Sequence, residues 1–412
     1  MFRKSYYKIV FAGGGTGGHL APGIAVAEEC IYATDCEIEF LIVGKPVEKL
    51  MLEKKNFRYS KMHGAPLQKS ISGLSAFVLL NLIGFVRSFI KFLGNRPDAV
   101  ICLGGYGAFA TAYSARLLKI PVFVLEQNLI PGKVNRIISK FSKKIFTQWK
   151  IEDKWLPKQA NQSVQGNPIR NEIFESDKMN SLKSLGLSLN KPTLLVLGGS
   201  QGAVKINDFV LKNLETIRHY DIQVIFLTGK HDYERVNSIL GRNSSFEIMP
   251  FSNEMGKILN ASDFVISRAG ATTIAELTAL GKPMLLIPYP FAAERHQHKN
   301  AEYVTKSGAA IMYEEDRLTK DVWELILNDI LLDYDNLREM ARNSSIIGRP
   351  FAGKSIAVEI LNYIRQSKQI DEPIVSKARL IRHSSKPNDQ LSDAACILFA
   401  PEPDEIDKKV AA

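Results

Sequence analysis

Two glycine-rich stretches, each following an apolar run, carry residues whose types and spacing could do chemistry. The first, "GGGTGGH" (13–19), ends on His19, and the second, "GGSQGA" (198–203), contains Ser200 and Gln201. Glycines let a backbone approach a ligand closely, and the helix N-terminus that follows such a loop favours negative charge. The same terminus disfavours an imidazolium, so His19 could accept a proton; alternatively, it only caps or orients the loop. The pattern indicates a site for an anionic ligand with His19 as a candidate general base.

The first loop also contains the dinucleotide pattern Gly-x-Gly-x-x-Gly, through Gly13, Gly15 and Gly18. A dinucleotide site needs, in addition, an acid at the end of the second strand, about 20 residues further on, to bind the ribose. The second apolar run ends in "IVGKPV" (42–47), which contains no acid. Neither glycine loop ends in the Gly-Lys-Ser/Thr of a P-loop. The sequence therefore argues against both of these common nucleotide motifs.

Two patterns raise the question of a metal. His296 and His298 form a His-x-His pair, but this is not the i,i+4 spacing of two helical ligands and no third ligand completes it. Asp333 and Asp335 spell Asp-x-Asp within a charged helical segment, away from any strand end. We therefore expect no structural metal and no required cofactor, although Mg²⁺ could assist a diphosphate.

The elements that must position these residues are short apolar runs, which alternate with longer segments of helical period. Near-continuous apolar strands are typical of a parallel sheet covered by helices on both faces. The runs are residues 7–13, 38–44, 98–105, 121–126 and 143–148, and then 191–200, 222–229, 263–270 and 283–289. A polar stretch near 160–172 separates the two series, so the sequence predicts an α/β protein of two doubly wound domains. Such sheets bind ligands at the carboxyl ends of their strands, so two facing domains would place a site in the cleft between them.

Charge is distributed unevenly over the 412 residues. The net charge is +10, and residues 1–170 alone carry +13. Such a basic half suggests an anionic partner: nucleic acid, an acidic lipid surface or a phosphorylated substrate. The four cysteines show no Cys-x-x-Cys spacing, and the N-terminal residues run into glycines without a signal-peptide core, so we expect a cytoplasmic protein with reduced thiols.

One segment, "LSAFVLLNLIGFVRSFIKFLG" (74–94), is apolar on nearly every helical face. Asn81, Arg87 and Lys91 interrupt it, so it lacks the roughly 20 uninterrupted apolar residues of a membrane span and we reject a transmembrane helix. Two interpretations remain: a buried core helix, or a helix partly exposed to lipid. In the second, the apolar contacts and phosphate-binding cations would be Phe77, Leu80, Phe85, Phe89, Phe92, Lys69, Arg87 and Lys91.

Six motifs in one order resemble the MurG family of N-acetylglucosaminyltransferases, a likeness that covers residues 8 to about 366. They are "GGGTGGHLAPGIAVAEE", "GGYGAFATAYSARLLKIPVFVLEQNLIPGKVNR", "GNPIR", "GGSQGA", "SRAGATTIAEL" and "ERHQHKNA". The resemblance implies a GT-B fold, in which two Rossmann-like domains face each other across a cleft and a C-terminal helix returns to the first domain. The expected boundaries are 1–165 for the acceptor domain, 166–349 for the UDP-sugar domain, 350–366 for the returning helix and 367–412 for a disordered tail.

The resemblance also implies a reaction: inverting transfer of N-acetylglucosamine from its uridine diphosphate donor to the C4 hydroxyl of the muramyl sugar of lipid I. Direct displacement needs a base on the hydroxyl and stabilisation of the leaving diphosphate. His19 is the candidate base, and Glu126 is a second candidate base or an orienting group. The donor site would comprise Thr16, Gly17, Gly18, Asn128, Arg170, Ser200, Gln201, Gly202, Ser252, Ala271, Thr272, Glu276, His296 and Gln297.

Individual roles follow from the family's motifs. Glu276 would bind the ribose hydroxyls, Arg170 the phosphates, and Gln297 with His296 the hydroxyls of the transferred sugar, which Asn128 would contact from the other domain. Each has a structural alternative: Glu276 could complement a helix dipole, and Arg170 could form a surface ion pair. Thr16 to His19 and the second loop of the first domain, with Gly104, Gly105 and Tyr106, would border the acceptor.

The expected partners are UDP-N-acetylglucosamine, lipid I, the anionic inner leaflet, and other cell-wall and division proteins. The expected location is peripheral, on the cytoplasmic face of the inner membrane. Alternatives are another lipid- or UDP-sugar-directed GT-B transferase, a UDP-sugar epimerase, or a non-catalytic scaffold of the cell-wall machinery at the membrane surface. Nucleic acid is excluded as a partner, because the basic half lacks the aromatic-interleaved patches of an RNA fold.

Overall fold

The computed structural model describes residues 6–15, 17–65, 71–199, 202–241 and 245–369. The chain divides into two compact units. The first contains the described residues up to Arg170 together with those from Pro350, and the second contains Asn171–Arg349. Nearly all of the tail expected at 367–412 lies outside the described residues.

The first unit is built on a parallel sheet of seven strands in the order β3-β2-β1-β4-β5-β6-β7. Its strands are β1 Tyr7–Gly13, β2 Cys36–Ile42, β3 Arg58–Lys61, β4 Ala99–Gly104, β5 Val122–Glu126, β6 Lys144–Thr147 and β7 Gln162–Val164. Its helices are α1 Gly17–Ala33, α2 Pro46–Lys54, α3 Ile71–Gly94, α4 Gly107–Leu117 and α5 Lys133–Ile138. The central strands are buried on both faces, which is why they appear in the sequence as unbroken apolar runs.

The last helix returns to the first unit, as expected. Helix α15, Ala352–Ser367, packs against α1, and its apolar face joins the core beneath the sheet. Ile356, Ile360 and Ile364 are each fully buried there. The carboxylate of Glu359 pairs with the ammonium of Lys144 on β6.

The second unit repeats the design with six parallel strands in the order β10-β9-β8-β11-β12-β13. Its strands are β8 Thr193–Leu197, β9 Gln223–Leu227, β10 Phe246–Met249, β11 Phe264–Ser267, β12 Met284–Leu286 and β13 Ala310–Met312. Its helices are α6 Lys178–Ser184, α7 Val204–Leu211, α8 Leu214–His219, α9 Tyr233–Leu240, α10 Met255–Ala261, α11 Ala271–Ala279, α12 His296–Lys306, α13 Lys320–Ile326 and α14 Tyr334–Ile347. Short 3₁₀ turns span Asn171–Phe174, Ala293–Arg295 and Glu315–Arg317, and a π turn spans Leu327–Leu331.

Both sheets reverse their strand order at one point, between β1 and β4 in the first unit and between β8 and β11 in the second. At such a switch point the two connections leave in opposite directions and open a crevice at the carboxyl ends of the strands. Strands β1, β4 and β8 end in or next to glycine-rich loops, and β11 ends three residues before Gly270. The expected doubly wound architecture is therefore confirmed in each unit.

Helix α3 combines the two interpretations left open by its sequence. Its inner face packs on α4, where Ser88 Oγ lies 3.1 Å from Thr111 Oγ1 and Ser114 Oγ donates to the Phe85 carbonyl at 2.9 Å. Its outer face exposes aliphatic side chains, of which Ile90 is 62% exposed. By length and composition, Phe77–Gly94 is the one helix among the described residues that could cross a membrane.

The exposed face of α3 differs from the aromatic one we expected. Phe77, Leu80, Phe85 and Phe89 are half-buried, and Phe92 is buried. Arg87 is exposed, and Lys69 lies outside the described residues. The strongly exposed residues are Val78, Leu79, Leu82, Val86, Ile90 and Leu93. They recur every three to four residues, which defines one continuous apolar stripe on the helix.

Candidate active site

In the first unit, the loops that follow β1 and β4 touch through their backbones. The amide of Gly14 donates to the Gly104 carbonyl at 3.3 Å. A Cβ on Gly13 would lie 2.4 Å from that same oxygen, and one on Gly105 would lie 2.7 Å from the Gly14 carbonyl. Gly13 and Gly105 also have φ of +119° and +75°, so glycine is required at both by conformation and by space. The two loops form one surface at the switch point.

His19 lies on that surface, in the first turn of α1. A Cβ on Gly104 would lie 3.4 Å from His19 Cδ2 and 3.3 Å from Asn135 Nδ2, so both side chains border the second loop. His19 is half-buried, while Gly17 and Gly18 precede it in the same turn. Thr16 lies outside the described residues. Tyr106 immediately precedes α4 at the end of the second loop and is half-buried.

Glu126 ends β5 as a buried carboxylate surrounded by donors. It accepts from the amides of Asn128 at 3.0 Å and Gly132 at 2.9 Å, and from Asn135 Nδ2 at 2.8 Å. Its hydrogen bonds therefore close the loop that carries Asn128 and fix Asn135, which borders the same loop as His19. Of the two roles predicted for Glu126, this geometry favours the orienting one.

Sequence reasoning missed a second buried carboxylate, Glu48 on α2. It is fully buried and accepts from the amides of Gly15 at 2.6 Å, Gly44 at 2.8 Å and Lys45 at 2.7 Å. It thus joins the loop after β1 to the loop after β2. The one signal in the sequence is its place in the first turn of a helix that begins with proline, three residues after Lys45, where a side chain can reach back to free amides.

In the second unit, the loop after β8 is held close to the neighbouring strand. A Cβ on Gly202 would lie 2.3 Å from the Thr228 carbonyl, and φ of Gly202 is +79°. Asn207 on α7 donates to the same carbonyl at 3.0 Å and to Asp232 Oδ2 at 2.7 Å. Hydrogen bonds from Arg235 hold the pKa of Asp232 below its usual value, so the carboxylate stays charged. Ser200 and Gln201 lie outside the described residues.

The loop after β11 leads into α11, which carries three of the predicted donor residues. Ala271 and Glu276 are buried, and Thr272 is half-buried. Asn300 on α12 donates to the Ala269 carbonyl of this loop at 3.3 Å, and Asn300 itself is fully buried. That contact ties the start of α11 to α12.

Helix α12 begins with the predicted sugar-binding pair. Gln297 Oε1 accepts from the Tyr289 amide at 2.9 Å, and His296 Nδ1 lies 2.8 Å from the Ala293 carbonyl. Arg268, after β11, donates to the Pro288 carbonyl at 3.2 Å. The segment before α12 is therefore anchored to the β11 loop on one side and to Gln297 on the other. Sequence reasoning missed Arg268 and Asn300, which join these elements.

Other predicted residues belong to other segments of the chain. Ser252 precedes α10 and its Oγ accepts from the Glu254 amide at 3.0 Å. Arg170 is the last residue of the first unit and is half-buried. Asp333 of the Asp-x-Asp pattern is the N-cap of α14, where it accepts from the Asp335 amide at 3.0 Å. A capping role thus accounts for that pattern.

Two Rossmann-like sheets, each with one reversal of its strand order, place the chain in the GT-B class of glycosyltransferase folds. The profile of the glycosyltransferase family 28 N-terminal domain matches residues 9–147, and that of the C-terminal domain of the same family matches residues 193–358. The crystal structure of Acinetobacter baumannii MurG superposes with a TM-score of 0.70 at 23% identity, covering 86% of this chain and 99% of that one.

Two relatives found by sequence have a higher sequence identity to this chain. A Halalkalibacterium halodurans protein named UDP-N-acetylglucosamine–N-acetylmuramyl-(pentapeptide) pyrophosphoryl-undecaprenol N-acetylglucosamine transferase is 33% identical over 356 residues, 85% of this chain and 97% of its own. A Bacillus cereus protein of that name, numbered 1, is 35% identical over 369 residues, 86% of this chain and 98% of its own. The chain therefore belongs to the MurG family of N-acetylglucosaminyltransferases.

Proposed function

We propose that this protein transfers N-acetylglucosamine from UDP-N-acetylglucosamine to the C4 hydroxyl of the muramyl sugar of lipid I, with inversion, to give lipid II. Lipid I is N-acetylmuramyl-(pentapeptide)-pyrophosphoryl-undecaprenol. The observation that carries the proposal is the match, over nearly the whole length of its relatives, to proteins named for this transfer. Each sheet has one strand-order reversal, where a crevice can take one substrate, and the proposal places the acceptor on the first unit and the donor on the second.

On the donor side, the leaving diphosphate would bind at the loop after β8, with Ser200, Gln201, Gly202 and Arg170 as its contacts. Backbone amides and a helix N-terminus favour the charge that develops as UDP departs. Glu276 would accept hydrogen bonds from the ribose hydroxyls. Residues around Ser252 would bind the uracil.

Gln297 has an orientation that suits sugar recognition. Its Oε1 accepts from the Tyr289 amide, so its Nε2 is the end that can donate to a hydroxyl of the transferred sugar. A site that hydrogen-bonds a substrate hydroxyl rejects analogues that lack it. Gln297, with His296 and Asn128, would therefore set specificity for N-acetylglucosamine.

For the base, His19 is the group whose position fits. Inversion in one step requires removal of the C4 hydroxyl proton as the oxygen attacks the anomeric carbon. A ring in the first turn of α1 is disfavoured as imidazolium, so it is available as an acceptor. Glu126 acts through Asn135, as a positioning residue for the loop that His19 borders. We expect transfer without an added metal, with Mg²⁺ at most assisting departure of the diphosphate.

The lipid-linked acceptor implies a membrane surface, and α3 is the element suited to it. Its outer stripe is apolar, while its inner face is packed on α4 and Lys91 Nζ donates to Glu39 Oε1 at 2.6 Å. A helix fixed on one side and apolar on the other suits burial in the interface rather than across the bilayer. Near an anionic leaflet each lysine or arginine adds about 1 kcal/mol of binding, so the basic first half favours the same surface. The proposed location is therefore peripheral, on the cytoplasmic face of the inner membrane, where other cell-wall and division proteins would be neighbours.

The decisive experiment is transfer of radiolabelled N-acetylglucosamine to a lipid I analogue by the wild type, Glu276→Ala and a control, Glu234→Ala. Glu234 is an exposed acid on α9 of the same unit. We expect labelled lipid product from the wild type and the control and a large loss with Glu276→Ala. No product from the wild type would refute the function, and equal turnover by all three would refute the ribose role alone.

The membrane role has its own test. The double variant Leu82→Ser/Ile90→Ser should lose most sedimentation with phosphatidylglycerol vesicles, because both residues lie on the exposed stripe. Ile239→Ser, at an exposed apolar position on α9, is the matched control and should still sediment. Unchanged sedimentation of the double variant would rule out α3 as the membrane-binding face.

A further inference from the structure

The fully buried Glu48 determines how the edge of the first sheet is assembled. Its Oε1 accepts from the Gly15 amide, and its Oε2 accepts from the amides of Gly44 and Lys45. These three hydrogen bonds are short, between 2.6 and 2.8 Å, as is usual for bonds to a carboxylate. Glu48 therefore fixes the backbone of Lys45 beside the first glycine loop.

The side chain of Lys45 returns to that loop. A Cβ built on Gly15 would lie 4.0 Å from Lys45 Nζ, which among the described residues is the one heavy atom within that distance. Among the described residues, only this ammonium therefore borders the space above Gly15. Lys45 is exposed, and within the described part of the chain its ammonium has no carboxylate partner.

Lys61, at the carboxyl end of β3, lies next along the same edge. Its stem packs over Gly44, whose Cβ position lies 3.4 Å from Lys61 Cγ. Lys61 is exposed and, like Lys45, forms no ion pair with any described residue. Beyond it, Arg87 Nη1 of α3 lies 3.1 Å from the ring of His63. Burial, then the charge of Arg87 and then that of Lys61 lower the pKa of His63.

The row of cations therefore begins at the glycine loop and runs toward the apolar helix. An acceptor whose sugar reacts at His19 and whose prenyl chain enters the membrane beside α3 must place its diphosphate between the two. Two ammonium groups without carboxylate partners supply the charge that a diphosphate needs there, and lysine is a common phosphate ligand.

We propose that Lys45 and Lys61 bind the diphosphate of the prenyl-linked acceptor, and that Glu48 is the positioning residue that holds Lys45 at the glycine loop. This inference rests on the proposed function and adds the residues that anchor the acceptor. An anionic phospholipid headgroup carries the same phosphate chemistry, so the experiment must separate the two sources. The position of Lys45 Nζ above Gly15, within the same glycine loop as His19, favours the acceptor.

The test is steady-state kinetics with a short-chain, water-soluble lipid I analogue, in the absence of membranes. Lys45→Ala and Lys61→Ala should each raise the KM for the acceptor on the order of tenfold, the loss of one charged hydrogen bond, while the KM for the donor stays within about twofold. Lys54→Ala removes the same charge from the exposed last turn of α2 and should behave as wild type. Unchanged acceptor KM in both lysine variants would overturn the proposal, whereas a wild type without transfer would instead refute the proposed function.

Two further measurements distinguish binding of the acceptor's diphosphate from binding of a phospholipid headgroup. Inorganic pyrophosphate should inhibit the wild type competitively with the acceptor, and this inhibition should weaken about tenfold in Lys45→Ala. Sedimentation of Lys45→Ala and Lys61→Ala with phosphatidylglycerol vesicles should match that of Lys54→Ala. If Lys45→Ala and Lys61→Ala lost sedimentation but kept the acceptor KM of the wild type, the lysines would bind phospholipid headgroups, and the proposal would be overturned.

Glu48→Gln tests the positioning role, because an amide cannot accept from all three backbone amides. It should raise the acceptor KM, and adding Lys45→Ala to it should cost little more, since both changes remove the same contact. Additive effects of the two changes would show that Glu48 does not act through Lys45. Should Glu48→Gln not fold, the lysine variants alone decide the anchoring role.

Discussion

Buried carboxylates in the first unit bind the backbone rather than a cation. Glu48 accepts from three amides and Glu126 from two amides and Asn135. A buried carboxylate is held in place by the hydrogen bonds that it accepts, and it orders every loop whose amide donates to it. The loops of the proposed acceptor site are consequently fixed before substrate arrives, which lowers the entropy lost on binding.

Replacing His19 with Ala should lower kcat by about 10² to 10⁴, the usual contribution of general base catalysis, with little change in the KM for the donor. The measurement is transfer kinetics with saturating acceptor. Glu126→Gln should lower kcat less, because it loosens Asn135 and the loop without removing the proton acceptor. Near-normal turnover by His19→Ala would leave the ring with a structural role alone.

Gly202→Ala should disrupt donor binding, because a Cβ there would meet the Thr228 carbonyl at 2.3 Å and the backbone has φ of +79°. We expect the KM for the donor to rise at least tenfold and the second unit to lose about 1–3 kcal/mol of stability. Gly186→Ala is the control, since Gly186 also has positive φ, +67°, but open space around it. It should cost about 1 kcal/mol and leave the donor KM unchanged. A donor KM in Gly202→Ala equal to that in Gly186→Ala would show that the close approach at Gly202 does not affect donor binding.

Residues that end strands were predictable from the sequence, because a glycine run after an apolar run marks both the strand end and the loop. His19 and Gly202 were predicted in this way, and Glu126 was predicted from its place at the end of an apolar run together with the family resemblance. Glu48 was not, because "VEKLMLEKK" has the charge pattern of an exposed helix. Whether an acid at such a position points to solvent or to a neighbouring loop depends on the loop's own path, which one sequence does not specify.

Helix α3 shows how small residues decide which face of an apolar helix is packed. Gly84 lies against the backbone of residue 63, and Ser88 meets α4. The larger aliphatic residues remain on the outside, with the phenylalanines at the boundary. Hydrophobicity alone could not separate the faces, since every face of this helix is apolar.

Gly84→Ala should therefore loosen α3, because its Cβ would lie 2.0 Å from the His63 carbonyl. Overpacking of this kind costs about 1–3 kcal/mol, which thermal unfolding should report as a lower midpoint. Gly94→Ala, in the last turn of the same helix and with no heavy atom within 4 Å, should be neutral or slightly stabilising. An unchanged unfolding midpoint in Gly84→Ala would mean that α3 can move away from the backbone of His63 without loss of stability.

The turn between α11 and β12 carries a pH-dependent contribution. Lys282 Nζ donates to the carbonyls of Asn260 and Ser262, and burial lowers its pKa to about 8. Between pH 8 and 10.5 the folded state therefore binds fewer protons than the unfolded state, so unfolding free energy rises with pH there. Lys282→Met should remove this rise, on the order of 2 kcal/mol between pH 7 and 10. Denaturant titrations at both pH values measure it, and the exposed Lys306→Met is the control; an identical rise in Lys282→Met would contradict the assignment.

Across the whole chain, the number of sheets and their parallel character followed from the spacing of apolar runs, whereas the role of α15 followed only from family resemblance. Its pattern predicts an amphipathic helix but does not indicate which of the two units its apolar face packs against. The structure gives the reason it belongs to the first unit: Ile356, Ile360 and Ile364 complete the core beneath β1 and β4. The chain therefore passes from the first unit to the second and back, and α15 packs in the same core as β1 and β4.

This arrangement makes the stability of the two units separable by mutation. Ile360→Ala should remove about 2–5 kcal/mol from the first unit, because the side chain is fully buried on α15. Ile326→Ala, equally buried in the core of the second unit, should produce the same loss there instead. Hydrogen exchange read by mass spectrometry should then show lower protection of β1 and β4 in the first variant and of β8 and β11 in the second. If Ile360→Ala lowered protection of β8 and β11 as much as that of β1 and β4, the units would unfold together, and α15 would stabilise the molecule as one cooperative body.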